Sequence, residues 1–444
     1  MSVYNNASVL QADKIPYTQE LISCFKEENP ALIIEKAEYK SNIELTLDAA
    51  EKVKLDYKNG KLACLDVELN NFDELNNLAD QIKTKYNKLI VFGIGGSSLG
   101  AQTLCGTKFY QYALNQDIDI KFIDNIHYIN FIEYLKLVDF DNTMFLIVSK
   151  SGQTIETLTQ MVVALNYFNN QGHNLAENVI FITENTDNPI NNFAKKINAR
   201  NLIHNSKIGG RYSCFTNVAL LPAAVAGFNI KDFCNGAKHT LNNFLTATQS
   251  NEVIKGSSLL LAAENAGIKS NVMLPYLQRL YYLPFWYAQL TAESLGKNNT
   301  GMLPIKALGS IDQHSLLQYF LEGGQNLFFN FLTINTKNQG SLIEDNILDF
   351  QGYEYLRNNS IGDVSYAQQE ATIQSFIKKN KMLRRFNLDE FSDFSLGGLM
   401  MHFVLETIVI GYVRGINPFD QPAVEFGKKI SKEILELFNN DKVT

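Results

Sequence analysis

Three hydroxyls, one lysine and one glycine fall within six residues at Ser149-Lys150-Ser151-Gly152-Gln153-Thr154. They follow the apolar run Leu146-Ile147-Val148 and precede Ile155-Glu156-Thr157-Leu158, where a helical pattern begins. A buried strand that ends in hydroxyls and opens a helix aims free backbone N–H groups, the positive helix end and side-chain hydroxyls at one point. The chemistry is capture of a phosphate-sized anion, carried by a small, hydroxyl-rich molecule. An ordinary N-cap uses the same residue types, but one hydroxyl suffices for a cap. A cluster with a lysine favours the anion.

A second loop of this kind follows Lys88-Leu-Ile-Val-Phe92. Gly93-Ile94-Gly95-Gly96 lets the backbone turn tightly and approach a ligand, and Ser97 and Ser98 supply hydroxyls at the mouth of the next helix. The competing reading is a dinucleotide fingerprint, with Gly93, Gly95 and Ser98 near the required spacing and Asp124 ending a second strand. The sixth position is Ser rather than Gly, and a dinucleotide leaves the Ser149–Thr154 cluster unexplained. Two hydroxyl loops in one sheet suit a sugar phosphate better.

Three further groups carry chemistry. Gly209-Gly210-Arg211 permits a sharp turn that aims a permanent cation into a cleft, where it stabilises an oxyanion rather than moving protons; a surface arginine in a glycine turn is the alternative. Gln289 and Glu293 are four apart and share a helix face, close to an aromatic run, Tyr281 to Tyr287, that holds the only tryptophan, Trp286. A carboxylate partly desolvated by aromatics suits a general base with a raised pKa; the alternative is a solvated glutamate before a glycine C-cap. In Asp312-Gln313-His314-Ser315, His314 lies in a polar turn and suits proton transfer near neutral pH. His402 lies on an apolar helix and reads as packed.

These groups need a scaffold that alternates strands and helices. Strands are expected near 88–93, 120–124, 143–148 and 178–183, after a mostly helical opening segment to about Lys85. A helical region, 215–266, leads to a second sheet with strands near 270–275 and 327–335. A helical stretch, 364–414, precedes a final helix after Pro422. The alternation implies two α/β units in tandem, each with a parallel sheet covered on both faces.

Composition narrows the class. The 444 residues suffice for two or three domains, and 45% hydrophobic with 19% charged residues is ordinary for a globular chain. A net charge of −7 argues against nucleic-acid binding, and no uninterrupted apolar run approaches the length of a membrane span. Met1-Ser-Val-Tyr-Asn-Asn lacks the pattern of a leader. Five scattered cysteines, with no metal-type pairs, read as reduced thiols in a cytoplasmic protein.

Taken in order, the motifs resemble the glucose-6-phosphate isomerase (phosphoglucose isomerase) family, in its shorter bacterial form. The resemblance runs from Gly93–Gly100 through Ser149–Thr154, Gly209–Ser213, Glu293-Ser-Leu-Gly-Lys297 and Gln313-His314 to Asn417-Pro-Phe-Asp-Gln421-Pro-Ala-Val-Glu425-Phe-Gly-Lys428. The closing motif reads by itself only as a turn and an amphipathic helix. The resemblance implies two tandem sugar-isomerase (SIS) domains, each a three-layer α/β/α sandwich: a helical N-terminal segment at 1–60, domains at 61–240 and 241–412, and a C-terminal segment at 413–444.

It further implies reversible isomerisation of glucose 6-phosphate and fructose 6-phosphate through a cis-enediol(ate), with neither metal nor cofactor. Glu293 matches the base between C2 and C1, Arg211 the cation beside the intermediate, and His314 and Lys428 the ring-opening pair. Ser97, Ser149, Lys150, Ser151 and Thr154 match substrate positions, with the Ser149 loop on the phosphate; Gln289 and Gln421 match polar residues lining the site. The implied assembly is a homodimer in which His314 reaches the neighbouring subunit's site. Gln153, Ile155 and Asn217 depart from the family pattern. A non-catalytic sugar-phosphate sensor is the rival class; it could keep the serine loops but would have no use for Glu293, His314 and Lys428, all of which are present.

Overall fold

The computed structural model describes residues 16–69, 71–109, 118–344 and 351–443. The leader reading at Met1–Asn6 lies outside them. Among the described residues, ten strands form two five-stranded sheets. The first runs β3 (Asp119–Ile123), β2 (Lys88–Phe92), β4 (Thr143–Val148), β5 (Val179–Thr183), β6 (Arg200–Ile203), all parallel. Its central strands are continuous apolar runs because both faces are covered. Leu89 and Val91 of β2 and Leu146 of β4 face one core, whereas Ile90, Phe92 and Phe145 face the other.

β2 has β3 on one side and β4 on the other, with Val91 level with Phe122 and Leu146. The chain therefore leaves β2 and β4 in opposite directions. That switch opens a crevice at the carboxyl ends of the two strands, where an α/β sheet binds ligands. The Gly93–Ser98 and Ser149–Thr154 loops emerge there side by side.

The second sheet runs β1 (Tyr17–Ile22), β10 (Leu383–Leu388), β9 (Leu327–Ile334), β7 (Ser270–Pro275), β8 (Leu303–Lys306), parallel except for β1 against β10. The six expected strands are all present, and four more join them. β6 and β8 are short edge strands; Pro304 is tolerated because an edge needs no N–H on its outer side. β1 lies inside what reads as a helical opening. β10 interrupts the expected 364–414 helix, splitting it into Ile361–Lys378 and Asp393–Val413. Arg384 and Arg385 hide it, since adjacent cations look nothing like a buried strand.

Arg384 is fully buried because Glu406 pairs with both of its terminal nitrogens, at 2.5 and 2.8 Å, while Gln19 and Asn330 take further N–H groups. Glu406 belongs to Asp393–Val413, a 21-residue helix with mean hydropathy 1.6. By length and composition it could cross a membrane, although no uninterrupted apolar run reaches that length, since His402 and Glu406 break it. Yet 89% of its apolar window is buried inside the protein, so it serves as the central core helix. It starts at a capping box of Ser392 and Ser395 and packs His402 out of solvent, bonded to Tyr17 Oη at 3.0 Å.

Candidate active site

Glycine lets two loops touch backbone to backbone. A Cβ on Gly96 would lie 2.2 Å from the Gly210 carbonyl carbon, and Gly95, at φ +57°, leaves room for the Gln289 amide. Ser213 Oγ donates to the Gly96 carbonyl at 3.0 Å and locks the contact. The Gly93–Ser98 loop is thus wedged against the Gly209–Arg211 turn and the Leu283–Leu295 helix. This packing, with Gln102 holding both Ser98 Oγ and the Asp124 carboxylate, uses the very residues that the dinucleotide reading needs. Ser97 is half-buried, and its hydroxyl has no partner among the described residues.

Arg211 is buried and spends every donor. Nε gives to Ser294 Oγ (2.7 Å), Nη1 to Glu293 Oε2 (3.2 Å) and Gln421 Oε1 (2.7 Å), and Nη2 to the carbonyls of Pro418 (2.6 Å) and Asp420 (2.9 Å). A planar five-donor fork is the group that can hold such a set in fixed directions. The second oxygen of Glu293 accepts from Gln289 Nε2 at 2.9 Å, as the four-residue spacing predicts. Gln289 Oε1 is buried without a hydrogen-bond partner among the described residues. The Glu293 carboxylate is half-buried and faces Arg211 and Gln289 rather than the aromatic rings that precede it. Trp286 and Tyr287 instead turn inward as core.

The anion loop is tied internally. Ser149 Oγ and Thr154 Oγ1 lie 2.9 Å apart. Thr154 is the N-cap of Ile155–Asn169, yet it makes no capping bond, so the first N–H groups of that helix stay available to an anion. Gly152, at φ +63°, sits where a Cβ would meet Asn188 Oδ1 at 2.0 Å. Gln153 and Ile155 are exposed and disturb no packing, and Asn217 donates to the Ile203 carbonyl at the end of β6 (3.0 Å).

Two residues without a sequence signal complete this loop. Glu184 pairs with Lys150 Nζ at 3.4 Å, and its N–H holds the Lys150 carbonyl. Buried His204 bonds the Ile208 carbonyl at 3.1 Å, tying the region to the turn that carries Arg211. Burial holds its imidazole below the usual value, with the Ile208 bond acting in the opposite sense.

The structure brings Arg211, Gln289, Glu293 and Gln421 together, beside the Gly95–Ser97 loop. It does not bring His314 or Lys428 to them. His314 is exposed after the Ile311–Gln313 turn, and Lys428 pairs, among the described residues, with Glu425 at 2.7 Å on the Ala423–Val443 helix. Every residue of that helix from 423 to 438 is exposed, with Phe426 at 73%.

The sequence pattern of the family "Phosphoglucose isomerase" matches residues 77–444. A probable glucose-6-phosphate isomerase of Methanococcus maripaludis is 31% identical over 389 residues, covering 85% of each chain. The glucose-6-phosphate isomerase of Campylobacter jejuni is 29% identical over 403 residues, 89% of this chain and 97% of that one. Among solved structures, a hypothetical protein from Thermus thermophilus superposes with a TM-score of 0.84 at 24% identity, over 94% of this chain and all of the other. A glucose-6-phosphate isomerase from Chlamydia trachomatis gives 0.71 at 22% identity, over 83% and 73%. The likeness to these two structures speaks for the fold.

Proposed function

The chain belongs to the phosphoglucose isomerase family, and from that premise we propose that it is a glucose-6-phosphate isomerase whose proton-transfer base is Glu293. The observation that carries the assignment is the clamp on that carboxylate, with Arg211 on one oxygen and Gln289 on the other. A base that removes a weakly acidic proton beside a carbonyl needs a fixed position and a cation for the oxyanion that develops. The arrangement supplies both.

In this reading the phosphate sits on the Ser149–Thr154 loop, with Lys150 and the free helix N–H groups. His314 and Lys428 open the sugar ring. Glu293 takes the proton from C2 of the open aldose, and the electron pair moves into an enediolate whose negative oxygen lies beside Arg211. The proton of the C2 hydroxyl passes to the C1 oxygen, and as the C2 carbonyl forms the same carboxyl returns its proton to C1, giving the ketose. No electron leaves the substrate, so the step balances without a redox partner. Ser97, Gln289 and Gln421 hold hydroxyls, and the unpartnered Gln289 Oε1 is an acceptor for one of them. The phosphate contacts are remote from the bond changes and orient the reacting end.

Assembly follows from what the single chain leaves out. His314 is exposed, and so is every residue from 423 to 438 of the amphipathic Ala423–Val443 helix. A helix of this length is marginal in water unless its apolar face is packed. We infer a homodimer in which His314 of the partner subunit completes each site, with an interface on the order of 2,000 Å² or more in total. The domain limits 61–240 and 241–412, and a cytoplasmic setting suited to the buried free cysteines, belong to the same reading.

A coupled assay of purified protein tests it. Interconversion of the two sugar phosphates without added metal or nucleotide is expected. Sugar-phosphate binding with turnover no higher than a buffer blank would leave only the sensor.

A further inference from the structure

Lys297 lies just beyond the Leu283–Leu295 helix, four residues after Glu293. Its ammonium contacts three oxygens of one turn: the Asn417 carbonyl, the Asp420 carbonyl at 2.7 Å and Asp420 Oδ1 at 2.6 Å. Its side chain is only 14% exposed. Arg211 takes the Pro418 and Asp420 carbonyls of the same turn, and Tyr212 Oη gives to the Pro418 carbonyl. Two cations therefore grip a four-residue turn through its backbone. One of them is the arginine proposed to stabilise the intermediate, and the other extends from the end of the helix that carries the base.

What leaves the turn gives the grip its meaning. Gln421 follows at once and bonds Arg211, and the helix bearing Lys428 begins two residues later, at Ala423. Every residue of that helix from 423 to 438 is exposed, so its direction depends on its root. Lys297 also suits its own position, as a cation beyond a helix C-terminus, and it holds the Asp420 carboxyl below the ordinary carboxylate value.

We propose that Lys297 is a positioning residue for the isomerisation: it fixes the Asn417–Asp420 turn so that Gln421 and the helix carrying Lys428 start from one defined point beside Arg211 and Glu293. This rests on the isomerase reading, and wild-type turnover in the same assay separates failure of that reading from failure of this one. A purely structural clamp is the alternative. The Asp420 carboxylate is 53% exposed, and ion pairs that open to water add little stability. Fold and function should therefore respond differently.

The experiment compares wild type, Lys297→Met, Lys297→Arg and Asp420→Asn. It measures kcat and KM for glucose 6-phosphate, the Kd of the linear analogue 5-phosphoarabinonate, and the melting temperature. Small misplacement of a reacting group costs on the order of 100-fold. Lys297→Met should accordingly lower kcat by about 10- to 100-fold, with KM and Kd within about threefold of wild type. Arginine should restore kcat to within about fivefold, because it keeps the charge and can span the same carbonyls. A kcat for Lys297→Met within about threefold of wild type would overturn the proposal. So would a joint loss of kcat, analogue binding and melting temperature that arginine does not rescue. Should Lys297→Met fail to fold, Asp420→Asn decides: a selective loss in kcat supports the proposal, and unchanged kcat overturns it.

Discussion

Glu293 is held at both oxygens, and that makes its removal informative. Glu293→Gln keeps the shape and one acceptor, which can stay on Arg211, while its NH2 can give to the Gln289 Oε1 once that amide turns. We expect turnover to fall by more than the roughly 10²–10⁴-fold usual for a general base, with 5-phosphoarabinonate still bound. Retention of more than about a tenth of wild-type kcat would assign the proton transfer to another group. The residues that sequence made visible are those whose partners are near in the chain or whose type is distinctive: hydroxyls packed into six positions, an arginine after two glycines, a glutamate four after a glutamine. Glu184 and His204 gave no such sign, and Lys297, though it closes the Glu293–Lys297 motif, gave none of a role. Lys297 finds its oxygens 120 residues away or more, and Glu184 meets Lys150 only because β4 and β5 are neighbours.

At the level of elements, apolar runs revealed the central strands, and polar ones concealed the rest. β10 carries two arginines, β6 and β8 are four-residue edges, and β1 pairs with a strand more than 360 residues later. What makes β10 a strand is tertiary: the Arg384 guanidinium is neutralised by Glu406 of the core helix. Burial by itself would raise the Glu406 pKa, but the charge and hydrogen bonds of Arg384 outweigh it and hold the carboxyl at about 2, with His402 acting in the same sense. The sign follows. A carboxyl with a depressed folded pKa contributes stability above its ordinary value of 4.5, and that contribution is lost as pH falls from there toward 2. Glu406→Gln leaves Arg384 buried without its counter-charge and should destabilise by about 3–5 kcal/mol at neutral pH. Denaturant unfolding at pH 7 and pH 3 checks this: the gap between wild type and variant should narrow at the lower pH. An equal gap at both would mean that the pair is not the titrating element.

For the whole molecule, the sequence indicated two α/β units and a sugar-phosphate site, and the structure unites four of its proposed residues in one chain. His314 and Lys428 lie apart from them in the single chain, and the proposed dimer assigns their placement to contacts between subunits. The shared site can be tested by mixing. Inactive Glu293→Gln and inactive His314→Ala chains, unfolded together and refolded, should form mixed dimers with one site carrying both intact residues and one carrying neither. Partial activity should return. If mixed dimers form and activity stays at the parental level, His314 acts within its own chain.

On the proposed mechanism a proton, not a hydride, moves between C2 and C1 on Glu293. The direct measurement follows glucose 6-phosphate deuterated at C2 through conversion to fructose 6-phosphate in ordinary water, with NMR reading the label at C1. Proton transfer on Glu293 predicts that part of the deuterium reaches C1 and part is lost to solvent, because a carboxyl that holds a proton also exchanges it. Complete retention of the label at C1, or undiminished turnover by Glu293→Gln, would contradict it.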